Sequence, residues 1–210
     1  MTEPSPPLHD SNSRNVNIEI PPASIADDEA FVQVLVEIIN TEYRWGEAGV
    51  VVDGTMRTTV SEVADQLRAR QFSVAFLTLP GKHREAIGCI YVTKLSATHG
   101  NLRLLAVRSE HHGRGLARDL ILFGEEHCRR EFGSKIMQIE LLVPTTFESA
   151  HKVRLQTWYE RIGYVVVSMG DFGADYPHMI PLLLGRVEYR VFEKNLETQS
   201  RTRGATGAKL

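Results

Sequence analysis

The spacing of apolar positions changes along the chain, and each spacing predicts one kind of element. Between Asp27 and Tyr43 the apolar residues recur at helical spacing, which predicts an amphipathic helix. Between Val16 and Ile20 apolar and polar residues alternate, which predicts a strand. The same reasoning predicts further helices over Thr59–Arg70, Leu116–Phe132 and Ala150–Ile162, and further strands over Phe72–Leu79, Glu85–Leu95, Asn101–Val107, Ile136–Val143, Tyr164–Met169 and Val187–Phe192.

The order of these elements predicts the fold class. Two helices, an antiparallel run of strands and then strands alternating with helices are typical of an α/β domain. We expect a single domain over residues 16–196, with a mixed, mostly antiparallel sheet of about six or seven strands flanked by about four helices. Residues 1–15 are polar and proline-rich and predict a disordered N-terminal arm, and residues 197–210 predict a flexible tail.

Composition narrows the function classes. A chain of 210 residues with 42% hydrophobic content can bury one substantial core, and its net charge of −2 does not favour nucleic-acid binding. Cys89 and Cys128 are its two cysteines, so neither a disulfide framework nor a cysteine metal site is indicated, and the histidines lack metal-ligand spacing. No apolar stretch reaches membrane-spanning length and no signal-peptide pattern opens the chain, so we expect a soluble intracellular protein.

The segment Leu104–Leu122 carries the strongest chemical signal. An apolar strand leads into a short turn with Gly113, Gly115 and Ala117, and a helix follows at once. Backbone N–H groups at such a helix start are unpaired, and the helix dipole favours negative charge there, so the turn predicts a phosphate or pyrophosphate site. A tight turn also needs glycine for steric reasons alone, and that alternative stays open. The ending required by a Walker loop is missing, and the turn lies too late in the chain for a dinucleotide fingerprint.

Two blocks of the sequence resemble the GNAT superfamily of N-acetyltransferases. In that family a strand ending in Val leads to Arg/Gln-x-x-Gly-x-Gly/Ala; Val107, Gly115 and Ala117 match, whereas His112 stands where Arg or Gln is usual. A later block, Trp158-Tyr159-Glu160-Arg161-Ile162-Gly163-Tyr164, is similar to the family's Leu/Phe-Tyr-x-x-x-Gly-Phe/Tyr signature.

The resemblance implies acetyl-CoA as acyl donor and assigns residues to its parts. The turn would bind the pyrophosphate, and exposed backbone of the preceding strand would pair with the pantetheine arm. The implied cofactor-binding residues are Leu105, Ala106, Val107, His112, Gly113, Arg114, Gly115, Leu116 and Ala117. Tyr159 would protonate the departing thiolate, although an ordinary inward-facing aromatic is the alternative. Lys152 stands where the family often has Asn.

The general base is less evident from the sequence. Some family members use a glutamate on the strand before the turn, where this chain has Asn101. Glu140, inside an otherwise apolar strand, is the predicted substitute, because a buried carboxylate must be paired or used. An ion pair with an arginine is the structural alternative. Glu47, after the first helix, and a chain of water molecules are further options.

The resemblance implies an amine as acceptor, which we expect on a small molecule. The segment Gly170–Leu184 is expected to wall the acceptor pocket, and its acidic and aromatic residues would suit a cationic or aromatic amine; a solvent-exposed loop is the alternative. A protein or peptide lysine acetyltransferase and a non-catalytic acyl-CoA sensor remain alternative functions, and the protein would be a monomer or a homodimer.

The last three residues predict where in the cell the protein is located. Ala208-Lys209-Leu210 resembles the SKL peroxisomal signal, which is read by an import receptor on a flexible tail. We therefore expect the peroxisomal matrix as the location, with the cytoplasm as the alternative.

Overall fold

The computed structural model of the protein describes residues 15–81 and 83–197. The predicted N-terminal arm apart from Asn15, most of the predicted tail and the tripeptide Ala208-Lys209-Leu210 lie outside the described residues. The helices are α1 (Glu29–Gly46), α2 (Val60–Arg68), α3 (Leu116–Glu131), α4 (Ala150–Arg161) and the short α5 (Phe172–Asp175). The strands are β1 (Val16–Glu19), β2 (Phe72–Thr78), β3 (Arg84–Lys94), β4 (His99–Val107), β5 (Ile136–Pro144), β6 (Val165–Met169) and β7 (Val187–Asn195).

The seven strands form one sheet in the order β1-β2-β3-β4-β5-β7-β6. Only the β4–β5 pair is parallel, and the other neighbours are antiparallel. The predicted mixed, mostly antiparallel α/β sheet is therefore confirmed. The short helix α5 was not predicted.

Local sequence signals explain where the first two helices begin. Asp28 precedes α1, and its carboxylate accepts a hydrogen bond from the N–H of Phe31. At α2, Thr59 and Glu62 form a capping box in which each side chain bonds the other residue's backbone N–H. These caps satisfy N–H groups that a helix start otherwise leaves unpaired.

Apolar side chains cover both faces of the sheet. On one face α1 and α2 pack against β2, β3 and β4 through residues such as Leu35 and Val63. On the other face the cluster includes α3 and α4, with Leu120 and Tyr159 as examples. Burial of these two apolar faces is the main stabilising contribution to the fold.

Strands β4 and β5 separate after a short paired stretch. Their pairing covers His99–Leu102 of β4 and Ile136–Ile139 of β5, and it stops there. Leu104 has a positive φ of 50°, and the register between β3 and β4 shifts at this point, which is the geometry of a β-bulge. Because a bulge bends its strand, the second half of β4 diverges from β5 and a gap opens in the middle of the sheet.

The outer strand β6 is exposed along its whole length and includes Val165, Val167 and Met169. No helix among the described residues has both the length and the apolar character needed to span a membrane.

Candidate active site

A cavity of about 290 Å³ occupies the gap between β4 and β5. It is bounded by the C-terminal end of α1, by β4 and β5, by α4 and by aromatic residues from the segment after β6. Several residues predicted from the sequence meet in its wall, although they are far apart in the chain: Leu105, Ala106, Val107, His112, Ala117, Glu140 and Tyr159. The remaining predicted residues, Gly113, Arg114, Gly115 and Leu116, form the turn that connects His112 to Ala117.

The turn before α3 has the geometry of an anion-binding nest. Gly113 and Gly115 have φ values of 72° and 83°, a region that other residues rarely adopt, and Gly115 caps α3 without any side-chain bond. Among the described residues, no group accepts a hydrogen bond from the N–H groups of Gly113 to Ala117. A Cβ atom added at either glycine would meet nothing within 4 Å, so the space beside these two residues is open. The turn can therefore bind an anion.

The side chain of Leu116 does not take part in this site. It is buried in the core under the start of α3, so only its backbone N–H can contribute to the nest. Arg114 is exposed, which leaves its guanidinium free to approach an anion bound in the turn.

His112 ties the turn to its surroundings. Its Nε2 lies 2.7 Å from the carbonyl oxygen of Val107 and 3.0 Å from Oε2 of Glu42 on α1. Because a carbonyl oxygen can only accept, Nε2 carries the hydrogen. Burial raises the pKa of Glu42, and the neighbouring His112 opposes that rise. His112 thus links the end of β4, the turn and α1, while the N–H nest itself remains free.

Tyr159 lies in α4 on the face that lines the cavity. Its ring packs on Tyr164, Phe192 and Trp158, with centroid distances of 6.2, 5.7 and 5.4 Å. Burial raises the pKa of Tyr159 well above its ordinary value. The phenol is therefore protonated at neutral pH, the state required of a proton donor.

Glu140 is held by neighbours on its own and the adjacent strand. Its Oε1 accepts hydrogen bonds from Asn101 at 2.8 Å and Gln138 at 2.5 Å, and its Oε2 lies 3.6 Å from Nε of Arg103. The ion pair with an arginine, which the sequence left as an alternative, is thus present. Asn101, at the position where some family members have glutamate, serves as a donor to Glu140. The catalytic role of Glu140 stays a prediction.

Three further charged side chains line the cavity, and only Glu47 was noted in the sequence as a candidate for chemistry. Glu47 and Lys152 are each 5% exposed, and Arg57 reaches the cavity from the loop before α2. Burial lowers the pKa of Lys152, and Glu47 opposes the change. Arg57 lies in a polar loop with no motif, so no local sequence signal could have identified it.

The segment 170–184 contributes aromatic rather than acidic side chains to the cavity. Phe172 and Tyr176 line it together with Tyr189 of β7. Asp171 instead caps α5 by accepting a hydrogen bond from the N–H of Ala174, and it does not line the cavity. The aromatic part of the expected acceptor wall is present, whereas the carboxylates of this segment lie outside it.

Backbone hydrogen bonds join segment 48–52 to segment 182–184 next to aromatic residues that line the cavity. The N–H of Val52 donates to the carbonyl of Leu182 at 2.8 Å, and the N–H of Leu184 donates to the carbonyl of Val50 at 3.0 Å. Val51 and Leu183 form an antiparallel bridge between these bonds. The loop after α1 and the segment before β7 are therefore bonded to each other beside the site.

Comparisons with known proteins agree with this geometry. The PaiA N-acetyltransferase of Thermoplasma acidophilum, solved with coenzyme A, superposes with a TM-score of 0.59 at 14% identity, covering 86% of this chain and 98% of that chain. A chain of the NatC complex bound to Gag peptide and CoA gives 0.58 at 15% identity, covering 87% and 99%. Ard1 of Thermoplasma volcanium gives 0.54 at 18% identity, covering 86% and 97%. At such identities these likenesses show the fold.

A search of the curated proteins finds no match. Residues 69–166 match the family model described as an acetyltransferase (GNAT) domain, a range that includes the turn, Glu140 and Tyr159. The resemblance seen in the sequence is confirmed: residues 69–166 match the model of a GNAT acetyltransferase domain, and the chain shares the fold of solved acetyltransferases.

Proposed function

We propose that the protein is an N-acetyltransferase that moves the acetyl group of acetyl-CoA to a primary amine on a small molecule. The observation that carries the proposal is the continuity between the unpaired N–H nest at Gly113–Ala117 and the cavity lined by Tyr159. An anion site beside a cavity suits a donor with a pyrophosphate at one end and a reactive thioester at the other.

The residues of the turn would hold the pyrophosphate, and the unpaired edge of β4 at Leu105–Val107 would hold the pantetheine arm. Backbone amides facing the gap offer hydrogen bonds along that arm. An N–H near the thioester carbonyl would stabilise negative charge on its oxygen during attack. Acetyl-CoA itself supplies an activated acyl group.

The transfer needs two proton movements. As the amine nitrogen attacks the carbonyl carbon, the C–N bond forms, the C–S bond breaks and the nitrogen loses a proton. Tyr159 would give its proton to the departing sulfur, so that the products are an amide and the CoA thiol. A lone pair on a carboxylate oxygen or on a water molecule accepts the proton from nitrogen.

Two carboxylates that line the cavity could serve as that base. Glu140 was the prediction from the sequence, but its oxygens already face Asn101, Gln138 and Arg103. Glu47 is equally enclosed, and no described residue donates a hydrogen bond to its carboxylate. Glu47 is therefore the better placed of the two to accept a proton.

The size of the cavity favours a small acceptor. Its volume of about 290 Å³ suits a small molecule, and buried charged side chains such as Glu47 and Lys152 line it. This supports a small-molecule amine over a protein lysine. A non-catalytic sensor would have no use for Tyr159 in the cavity wall.

The direct test is release of free CoA thiol from acetyl-CoA across a panel of amines, against a blank without amine. We expect amine-dependent release. Tyr159→Phe should lower kcat by about 10²- to 10⁴-fold, because general acid catalysis contributes that much, while the KM for acetyl-CoA stays similar. Tyr91→Phe is the matched control, because Tyr91 bonds Gln71 away from the cavity.

Two outcomes would contradict the proposal in different ways. An unchanged rate in Tyr159→Phe would remove Tyr159 from the mechanism but leave the transferase. No release with any amine, together with a higher melting temperature in the presence of acetyl-CoA, would favour the acyl-CoA sensor.

A further inference from the structure

The cavity wall holds cations whose charge no described residue neutralises directly. The guanidinium of Arg57 and the ammonium of Lys152 make no ion pair within 4.0 Å and no hydrogen bond among the described residues. Lys152 is 5% exposed. Burying a cation without a partner is unfavourable, so such a group persists where a ligand supplies the anion.

Arg57 is held in place by groups other than an anion. Its guanidinium lies 5.1 Å from the ring centroid of Tyr43 and 4.8 Å from that of Tyr176. Its backbone N–H donates to Oδ1 of the buried Asn40 at 2.6 Å, and the same oxygen accepts from Thr58. The arginine is thus pre-positioned, with its N–H donors available to a ligand.

A second guanidinium lies on the same aromatic ring. Arg103 is 5.8 Å from the centroid of Tyr176, and its buried Nε has no hydrogen-bond partner in the described structure. Glu140, 3.6 Å away, balances its charge. Arg57 is therefore the guanidinium of this pair that lacks a carboxylate within ion-pair distance.

Glu47 provides the opposite charge in the same wall. It is 5% exposed and its carboxylate accepts no hydrogen bond from the described residues. Glu47 and Arg57 both line the cavity without an ion pair between them. Burial acts to lower the pKa of Arg57, but Glu47, Tyr43 and Tyr176 raise it above its ordinary value. A carboxylate and a guanidinium that both lack direct partners suit a ligand with one group of each charge.

We propose that the acceptor is an aminocarboxylate, such as an α-amino acid, whose carboxylate binds Arg57 while its amine faces Glu47. The inference rests on the proposed acetyltransferase function. Arg57, Arg103 and Lys152 stand against Glu42, Glu47 and Glu140 in the wall, so the charges of these side chains balance. An aminocarboxylate enters this wall as a zwitterion without net charge, and its ammonium gives up a proton before the nitrogen attacks. The planar guanidinium fork matches a carboxylate in shape.

The test compares matched pairs of amines in the CoA-release assay. Each amino acid is paired with the amine that lacks its carboxylate, for example phenylalanine with phenethylamine and leucine with isopentylamine. We expect the amino acid of at least one pair to give the higher kcat/KM. In Arg57→Gln the KM for that amino acid should rise about 10- to 100-fold, the range for losing a hydrogen bond to a charged group, while the KM for acetyl-CoA stays unchanged.

Two variants separate the role of Arg57 from a general effect. Arg57→Lys keeps the charge but loses the fork, so it should recover part of the affinity. Arg84→Gln is the matched control, because Arg84 also lies over an aromatic ring, Phe76 at 4.1 Å, but at the β1–β2–β3 side of the sheet. It should leave both KM values unchanged.

The inference is overturned if amines without a carboxylate are the better substrates of every pair, or if Arg57→Gln affects both members of a pair equally. If no amine supports turnover, the proposed function fails, and the site is then tested by binding alone. In that case N-acetyl amino acids should still raise the melting temperature of the wild type but not of Arg57→Gln, and equal shifts in both would overturn the carboxylate site.

Discussion

Lys194→Met should destabilise the protein strongly, because it leaves a carboxylate buried without its cation. Nζ of Lys194 donates to both carboxylate oxygens of Glu125, each at 2.9 Å, and the Tyr164 hydroxyl donates to Oε1 at 2.8 Å. The side chains of Lys194 and Glu125 are 4% and 5% exposed. Once Lys194 is removed, a single hydrogen bond remains to stabilise a charge that water cannot reach.

The expected loss follows from that burial. Breaking a buried ion pair by removing one partner costs about 3–5 kcal/mol, and a domain of this length loses about 2–4 °C in Tm per kcal/mol. We therefore expect Tm to fall by roughly 6–20 °C in thermal unfolding followed by circular dichroism at neutral pH. The double variant Glu125→Met with Lys194→Met removes both charges and should regain most of the loss, apart from about 1–3 kcal/mol for the unpaired Tyr164 hydroxyl.

Lys135→Met is the matched control for this prediction. Lys135 forms its ion pair with Glu197 at 3.2 Å, but its side chain is 60% exposed. An exposed pair contributes about 0–1 kcal/mol, so this variant should change Tm little. Equal Tm losses in Lys194→Met and Lys135→Met would refute the reasoning, as would a double variant no more stable than Lys194→Met.

The remaining predictions concern the turn, the thiols and alkaline pH. Gly115→Glu places a carboxylate in the N–H nest and should abolish the rise in Tm caused by acetyl-CoA. Gly115→Asn is the neutral control, because asparagine tolerates the positive φ of this position. Retained acetyl-CoA binding in Gly115→Glu would contradict the pyrophosphate assignment. Burial raises the pKa of Cys89 and Cys128 to about 12, so a thiol reagent should label them only after unfolding, and rapid labelling of the native protein would refute their burial. Burial also raises the pKa of four tyrosines above the ordinary value, so above about pH 10 the folded chain binds more protons than the unfolded chain and stability falls as pH rises. These tyrosines are Tyr43, Tyr159, Tyr164 and Tyr189. Urea unfolding at increasing pH measures the stability, and absorbance at 295 nm measures the phenolate. Ionisation of these tyrosines at the ordinary pH in a protein that is still folded would contradict the prediction.

The helices and strands could be predicted because their signals are local. The apolar spacing of α1, its Asp28 cap and the glycine turn before α3 are all visible within a few residues of sequence. The turn and Tyr159 could also be identified, because each belongs to a short motif with fixed spacing. These parts depend on neighbours in the chain, which a sequence displays directly.

The charged wall of the cavity could not be predicted, because its members come from distant parts of the chain. Glu47, Arg57 and Lys152 come together only after the sheet forms, and Lys152 belongs to an element more than ninety positions from Arg57. The β-bulge that opens the gap depends on a positive φ at Leu104, a residue type that gives no sign of it. The acidic residues of segment 170–184 were expected in the wall of the acceptor pocket, but they do not line the cavity. Which way a side chain points is decided by the tertiary structure, so the local sequence does not show it.

The divergence of β4 and β5 gives this sheet two unpaired edges in its interior. An ordinary outer edge, such as β6, is open to strands of other molecules and can promote aggregation. The edges beyond Leu102 and Ile139 lie instead in the interior of the sheet, between the helices packed on its two faces. The protein can therefore keep strand hydrogen-bonding groups available for a slender ligand while withholding them from other proteins.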